Sequence, residues 1–275
     1  MKTFSQVVAE QAEEASRLRR MAEEICAEKL EREPGILGVL LSGSVARGDA
    51  RIGPFGVQID LALVAERRSD FDLERLFGSD EEPGIPYHCV SLADKVGLAV
   101  EVVELEELKP VRSRKESEIF ARSESVVLFD RTGALGSWKA SAFHITEEEQ
   151  KARSLAWLGR YGYLEGGDYR FEKWMNRGAY TQVSQNFNEA AECYCAFLLC
   201  LNGRFVPRKD WLAYLTYDLP VLPPAHATYM EALYSSRLEE SALLAKHELL
   251  KEIHRWMEAR ARAEGWLAPV EGEPA

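Results

Sequence analysis

No apolar run in this sequence is long enough to cross a bilayer, and its first residues, MKTFSQVVAEQAEEASRLRR, lack the apolar core of a signal peptide. Cysteine is scarce: five residues, an odd number, without framework spacing. That excludes a disulfide-stapled scaffold and leads us to expect a cytoplasmic protein with no membrane partner. Positive charge is short as well, with 34 Lys and Arg against 45 Asp and Glu and a net charge of −11. A chain this acidic is excluded from broad, sequence-independent nucleic-acid binding, which needs many cations against phosphate. A small local basic pocket stays compatible with it. Internal repeats and low-complexity segments are also missing.

What is present is apolar bulk: 46% hydrophobic residues over 275 positions, enough for one large or two small domains. Residues 3–33 carry Phe4, Val7, Val8, Ala12, Ala15, Leu18, Met21, Ile25 and Leu30 at helical spacing, and Pro34-Gly35 stops the pattern. The period then changes. Ile36–Leu41 reads as a buried strand, Ser42-Gly43-Ser44 as a break opening a short helix at Val45, and Val57–Val64 as a second strand. Phe71–Phe77 reads as a short helix, followed by a loop with Gly78, Pro83, Gly84 and Pro86; Leu98–Leu105 and Ser125–Phe129 read as further strands. Turn residues cluster at 131–141. From Thr146 onward the pattern is helical, beginning with a Thr146/Glu149 capping box. A long aromatic-rich helix is predicted over Tyr169–Leu201, then shorter ones near 209–217 and 223–236, and a last one over 239–264. The expected class is α/β (α+β): a mixed-sheet domain with flanking helices over 1–135, then an all-helical substrate or partner domain over 136–275 with a disordered tail, PVEGEPA.

The chemistry concentrates in LLSGSVARGDARIGPFGVQIDLALV, residues 40–64. Side chains alternate along a strand, so Gln58, Asp60, Ala62 and Val64 share one face while Ile59, Leu61 and Leu63 share the other. A carboxylate among Val, Ile and Leu is expensive unless a cation, a metal or hydrogen-bond donors meet it. Gly43-Ser44 ends a strand and opens a helical turn, where free N–H groups suit a phosphate and glycine allows close approach. Arg47, one turn on, adds positive charge on the same side. Glu101 in LAVEVVEL repeats the anomaly, flanked by valines. Two carboxylates brought together on neighbouring strands favour a divalent cation between them.

GSVARGDA followed by VQIDLALV resembles the GS…DxD signature of the nucleotidyltransferase superfamily, which includes DNA polymerase beta, the aminoglycoside adenylyltransferases and the minimal nucleotidyltransferases. The resemblance spans about residues 36–105 in motif order, and the helical second half resembles the helical domain of the antibiotic-modifying members. It implies a triphosphate held by Gly43 and Ser44, with Asp60 and Glu101 as Mg²⁺ ligands and Arg47 neutralising phosphate. The implied substrates are ATP or another NTP and an unidentified hydroxyl acceptor. The sequence departs from the signature twice. The first Asp is Gln58, and Ile52-Gly53-Pro54-Phe55-Gly56 lengthens the connection to the strand. An amide offers one oxygen and no charge, so affinity for a metal pair is expected to fall. Two readings therefore stand: an enzyme transferring NMP, with Asp60, Glu101 and Gln58 as catalytic positions, or a degenerate nucleotide-binding or protein-interaction relative.

Other features have blander accounts. Cys193 and Cys195 point to different sides of a helix and read as core packing; HELLKEIH is not zinc-protease spacing; KPVRSRK reads as a solvated loop.

Overall fold

A computed structural model of the chain describes residues 4–82, 85–109 and 111–269, and the side chains of 4–9, 70 and 168 lie outside that description. The expectation of a disordered tail falls on 270–275, and two loop residues named above are Pro83 and Gly84; these too lie outside the described residues. The chain divides into two compact units, one up to His144 and one from Ile145 on.

The first unit is a five-stranded mixed sheet with helices on its faces. Its strands are β1 (Ile36–Ser42), β2 (Val57–Ala65), β3 (His88–Ala93), β4 (Val96–Glu104) and β5 (Val126–Asp130), in the spatial order β3-β4-β2-β1-β5. β2 pairs in parallel with β4, and every other neighbouring pair is antiparallel. One face is closed by α1 (Phe4–Ile25): Ala15, Leu18 and Ala22 pack with Val39, Leu41, Ile59, Leu61, Leu63, Leu98 and Val100 in one buried cluster. The predicted stripe therefore does what its spacing implies. The helix ends earlier than Pro34, however. Over Cys26–Leu30 its last turn widens to π spacing, closed by Glu31 N–H to the Cys26 carbonyl at 3.0 Å.

The opposite face is covered at one end only. α5 (Ala134–Ala142) lies there, its Leu135 side chain filling the space above Gly38. The 131–141 segment is thus mostly helix, where turn residues alone suggested a loop; Asp130 Oδ2 accepts the Gly136 N–H at 2.8 Å and ties the helix to β5. β2 records the partial cover along its length: Leu61 through Ala65 are all buried, as in a strand covered on both sides, whereas Gln58 is exposed and Asp60 half-buried.

β3 has no counterpart among the predicted strands. HCVSLA is short, and its hairpin to β4 turns through Asp94-Lys95, with Lys95 at φ 59°, instead of an Asn-Gly pair. The strand exists because β4 and the 80–82 segment supply its hydrogen bonds: Asp80 Oδ1 accepts from Cys89 N, and Glu81 Oε1 from Ser91 N, each at 3.0 Å.

The second unit is all helical and is built around α8 (Tyr180–Leu201), buried almost all round over its last three turns. α6 (Glu147–Glu165) begins at Thr146, whose hydroxyl accepts the Glu149 N–H at 3.2 Å as the capping pattern requires. The predicted helix over 169–201 is two helices, α7 (Arg170–Met175) and α8. Between them Gly178 and Ala179 donate to the Met175 and Trp174 carbonyls at 2.9 and 3.0 Å, closing the first helix. The 209–217 and 223–236 segments form α9 (Lys209–Leu212) and α10 (His226–Leu233), and α11 (Glu240–Ala263) is the last helix. Cys193, Cys195 and Cys200 are buried and unbridged in α8, as core packing implies. Among the described residues no helix is long and apolar enough to cross a membrane.

Candidate functional site

The site lies on the partly open sheet face, where β1 ends. Ser42 at the end of β1 pairs with Asp60, and Gly43 then opens the five-residue helix α2 (Gly43–Arg47). Gly43 has φ +70°, and a Cβ there would overlap Asp60 Oδ2. Only glycine meets both demands, so the turn and the Asp60 carboxylate are in direct contact. Ser42 makes no side-chain cap to α2, and the Ser44 hydroxyl has no hydrogen-bond partner among the described residues. The turn thus presents uncapped amides and an unused hydroxyl beside a carboxylate.

Glu101 reaches the same face through the parallel pairing of β2 with β4. Asp60 is opposite Ala99 and Ala62 opposite Glu101, which places the two carboxylates one pleat apart on neighbouring strands. Burial, opposed by Arg47 and helped by Glu101, pushes Asp60 up to about 6. Burial also raises Glu101, against the pull of Arg122, Arg68 and Arg114. Asp60 has no hydrogen bond or ion pair among the described residues. A half-buried carboxylate without those partners is costly, and its persistence asks for a ligand.

Arg47 is placed differently from the expectation. Its guanidinium forms a two-pronged pair with Asp49, Nε to Oδ2 at 3.1 Å and Nη2 to Oδ1 at 3.2 Å, while remaining within electrostatic reach of Asp60. Asp49, which the motif does not use, therefore orients a cation beside Asp60. Sequence reading missed Arg122 too. It sits on the helix Glu116–Ser123, is half-buried, and faces Glu101 electrostatically. Its signal was faint, a single Arg in ESEIFARS outside any motif.

Gln58 lies one pleat before Asp60 on the same face of β2. Its side chain is exposed and lines a cavity of about 440 Å³ bounded also by Phe55, Cys89, Ser91, Lys95 and Gly97. Among the described residues no group of three or more His, Cys, Asp or Glu side chains is arranged to hold a metal. Asp60 and Glu101 are two carboxylates on one face, fewer than a cage for two divalent ions needs.

No protein-family profile matches the chain, and no curated protein matches it in sequence. Among solved structures it is similar to a nucleotidyltransferase-like protein from Exiguobacterium sibiricum 255-15, with 12% sequence identity over 91% of this chain and 76% of that one, at a TM-score of 0.42. A likeness this low carries no function.

Proposed function

We propose that the protein binds a nucleoside triphosphate, most simply ATP, at Gly43, Ser44, Asp60 and Glu101, and transfers its nucleoside monophosphate to a hydroxyl of a small molecule or protein. The observation that carries this reading is the contact between Gly43 and Asp60. A glycine that admits no Cβ presses an uncapped helical turn against an unpartnered carboxylate, and Glu101 lies one pleat away.

In this reading the α2 amides and the Ser44 hydroxyl donate to phosphate oxygens, the arrangement by which helix starts hold anions. Asp60 and Glu101 would hold Mg²⁺ brought in with the triphosphate, and the ion supplies neutralisation of phosphate charge when bound. Arg47, held in place by Asp49, contributes a fixed positive charge beside Asp60. The acceptor oxygen attacks the α-phosphorus, the bond to the bridging oxygen breaks, pyrophosphate leaves with the electron pair, and the hydroxyl proton passes to water. The chain's part in this is positioning and neutralisation.

One observation favours a second reading, binding without turnover. Where the resembled signature has an Asp this chain has Gln58, an amide that lines the cavity and brings no charge to a metal. Pyrophosphate release from ATP with Mg²⁺ separates the two. Turnover by the wild type supports the transferase reading. Turnover only in Gln58→Asp establishes a binding protein, and equal ATP affinity in wild type and the Ser44→Ala/Asp60→Ala double variant would overturn the site itself.

A further inference from the structure

The insertion at 52–56 and the amide at 58 meet at the same cavity. The insertion is a braced hairpin: Gly56 N–H donates to the Gly53 carbonyl at 3.1 Å, and at φ +83° Gly56 leaves 2.9 Å between the Lys95 carbonyl oxygen and the place a Cβ would take. Its base is tied on both sides, Ile52 N–H to Glu14 Oε2 at 3.0 Å and Val57 N–H to the Lys95 carbonyl at 2.9 Å. At its tip Phe55 is wholly exposed, with no ring contact among the described residues. A lone exposed phenylalanine is ordinary; one fixed on a braced turn at the rim of a cavity is placed to meet a ligand.

The floor of the cavity carries Gln58, whose amide has no hydrogen-bond partner among the described residues, beside Gly97, which pairs with it on β4 and adds no side chain. The rim carries Glu81, Glu82 and Lys95, two negative charges to one positive; Glu81 accepts from the Ser91 N–H at 3.0 Å and hydroxyl at 2.7 Å, bonds that hold its carboxyl below the usual range and so ionised. Such a rim disfavours a phosphate and leaves the Gln58 amide to meet a neutral, planar, hydrogen-bonding group. The volume, about 440 Å³, falls in the range of small-molecule sites.

We propose that this cavity is an adenine subsite, in which the Gln58 amide pairs with the amino and ring-nitrogen edge of the base and the Phe55 ring stacks on its face. An amide presents a donor and an acceptor side by side, the match adenine requires, whereas a carboxylate at position 58 presents acceptors alone. The proposal rests on the nucleotide-binding reading above and extends it: the substitution that weakens a metal pair gives the site a base reader, with the phosphates one pleat along at Asp60 and Gly43.

The test is calorimetric titration of the full chain with adenosine, guanosine and inorganic triphosphate as separate probes, using wild type, Gln58→Ala and Phe55→Ala. Adenosine is expected to bind more tightly than guanosine, and each variant to lose adenosine affinity by roughly tenfold while triphosphate binding is unchanged. Adenosine binding that is absent, indifferent to the base, or equal in all three proteins overturns the subsite. Triphosphate binding that is absent from the wild type, with adenosine binding still lost in the variants, leaves the subsite standing and overturns the transfer reading.

Discussion

Asp60 is the place where function and stability oppose each other. Its carboxyl is pushed up to about 6 from an ordinary value of 3.8, chiefly by burial and secondarily by Glu101. A carboxyl raised by folding holds its proton more tightly in the native state. Stability is therefore full below pH 3.8 and declines as pH rises through about 6, because the ionised form is the disfavoured one. The gap of about 2 in pKa, at 1.36 kcal/mol each, is worth about 3 kcal/mol at pH 8, and partial exposure to water trims this to about 2. Asp60→Asn keeps the shape and removes the charge. It is expected to stabilise the ligand-free first unit by about 2 kcal/mol at pH 8, a shift of roughly 6 °C in its melting transition. Below pH 4 the gain should vanish, since the wild-type group is then neutral as well. Hydrogen exchange at the β1 and β2 amides reads this unit separately from the helical one. A variant no more stable than wild type at pH 8, or equally stabilised at pH 4 and pH 8, would refute the burial argument and with it the claim that Asp60 waits for a ligand.

Two further perturbations test the frame around the site. Gly43→Ala forces a Cβ into a positive-φ position and against Asp60 Oδ2, and it is expected to destabilise the first unit by about 2–3 kcal/mol in urea unfolding. In an Asp60→Gly background the loss should shrink toward about 1 kcal/mol, the backbone share alone; equal losses in both backgrounds would show that the two residues do not touch. In the helical unit, Glu165 accepts from His254 Nδ1 at 3.2 Å and lies 3.6 Å from His247 Nε2, and its carboxyl is held down at about 2 by these two imidazoles. A carboxyl lowered by folding stabilises above its ordinary value and loses that contribution as pH falls toward its native one. Glu165→Gln should therefore cost about 2–3 kcal/mol at pH 6 and progressively less below pH 4, measured as the melting of that unit; a cost that does not change with pH would contradict it.

Much of the site's local grammar was legible. The run ILGVLLS, the Gly-Ser turn and the alternation in VQIDLALVA needed only the period of the side chains and the rarity of a buried carboxylate. The Thr146 cap was legible because it is a contact across three residues. Legibility failed where a partner decided. β3 and α5 carry weak patterns of their own: one is stabilised by β4 and the acidic 80–82 segment, the other by its seat against Gly38 and Asp130. The single helix predicted over 169–201 failed for a related reason. Its aromatic residues continue through Gly178, but the chain closes one helix there by local hydrogen bonds and begins another.

The sequence by itself determined which residues share a face and where the chain must turn. Gln58 and Asp60 stand on one side of β2 because side chains alternate, and Gly43 and Ser44 follow β1 directly because they adjoin it in the chain. Which residues became neighbours was decided by tertiary structure. Glu101 joins Asp60 because β4 pairs with β2 in parallel and in one particular register, Val57 opposite Val96, a choice made far along the chain by burying the Leu61 and Val100 face against α1. Had that register slipped by one residue, Glu101 would point into the apolar core. Arg47 turned to Asp49, and Gln58 opened onto a cavity with Phe55, for the same reason: charge and hydrogen bonding act over a few ångströms of space, and only the packed sheet determines which groups lie within that distance.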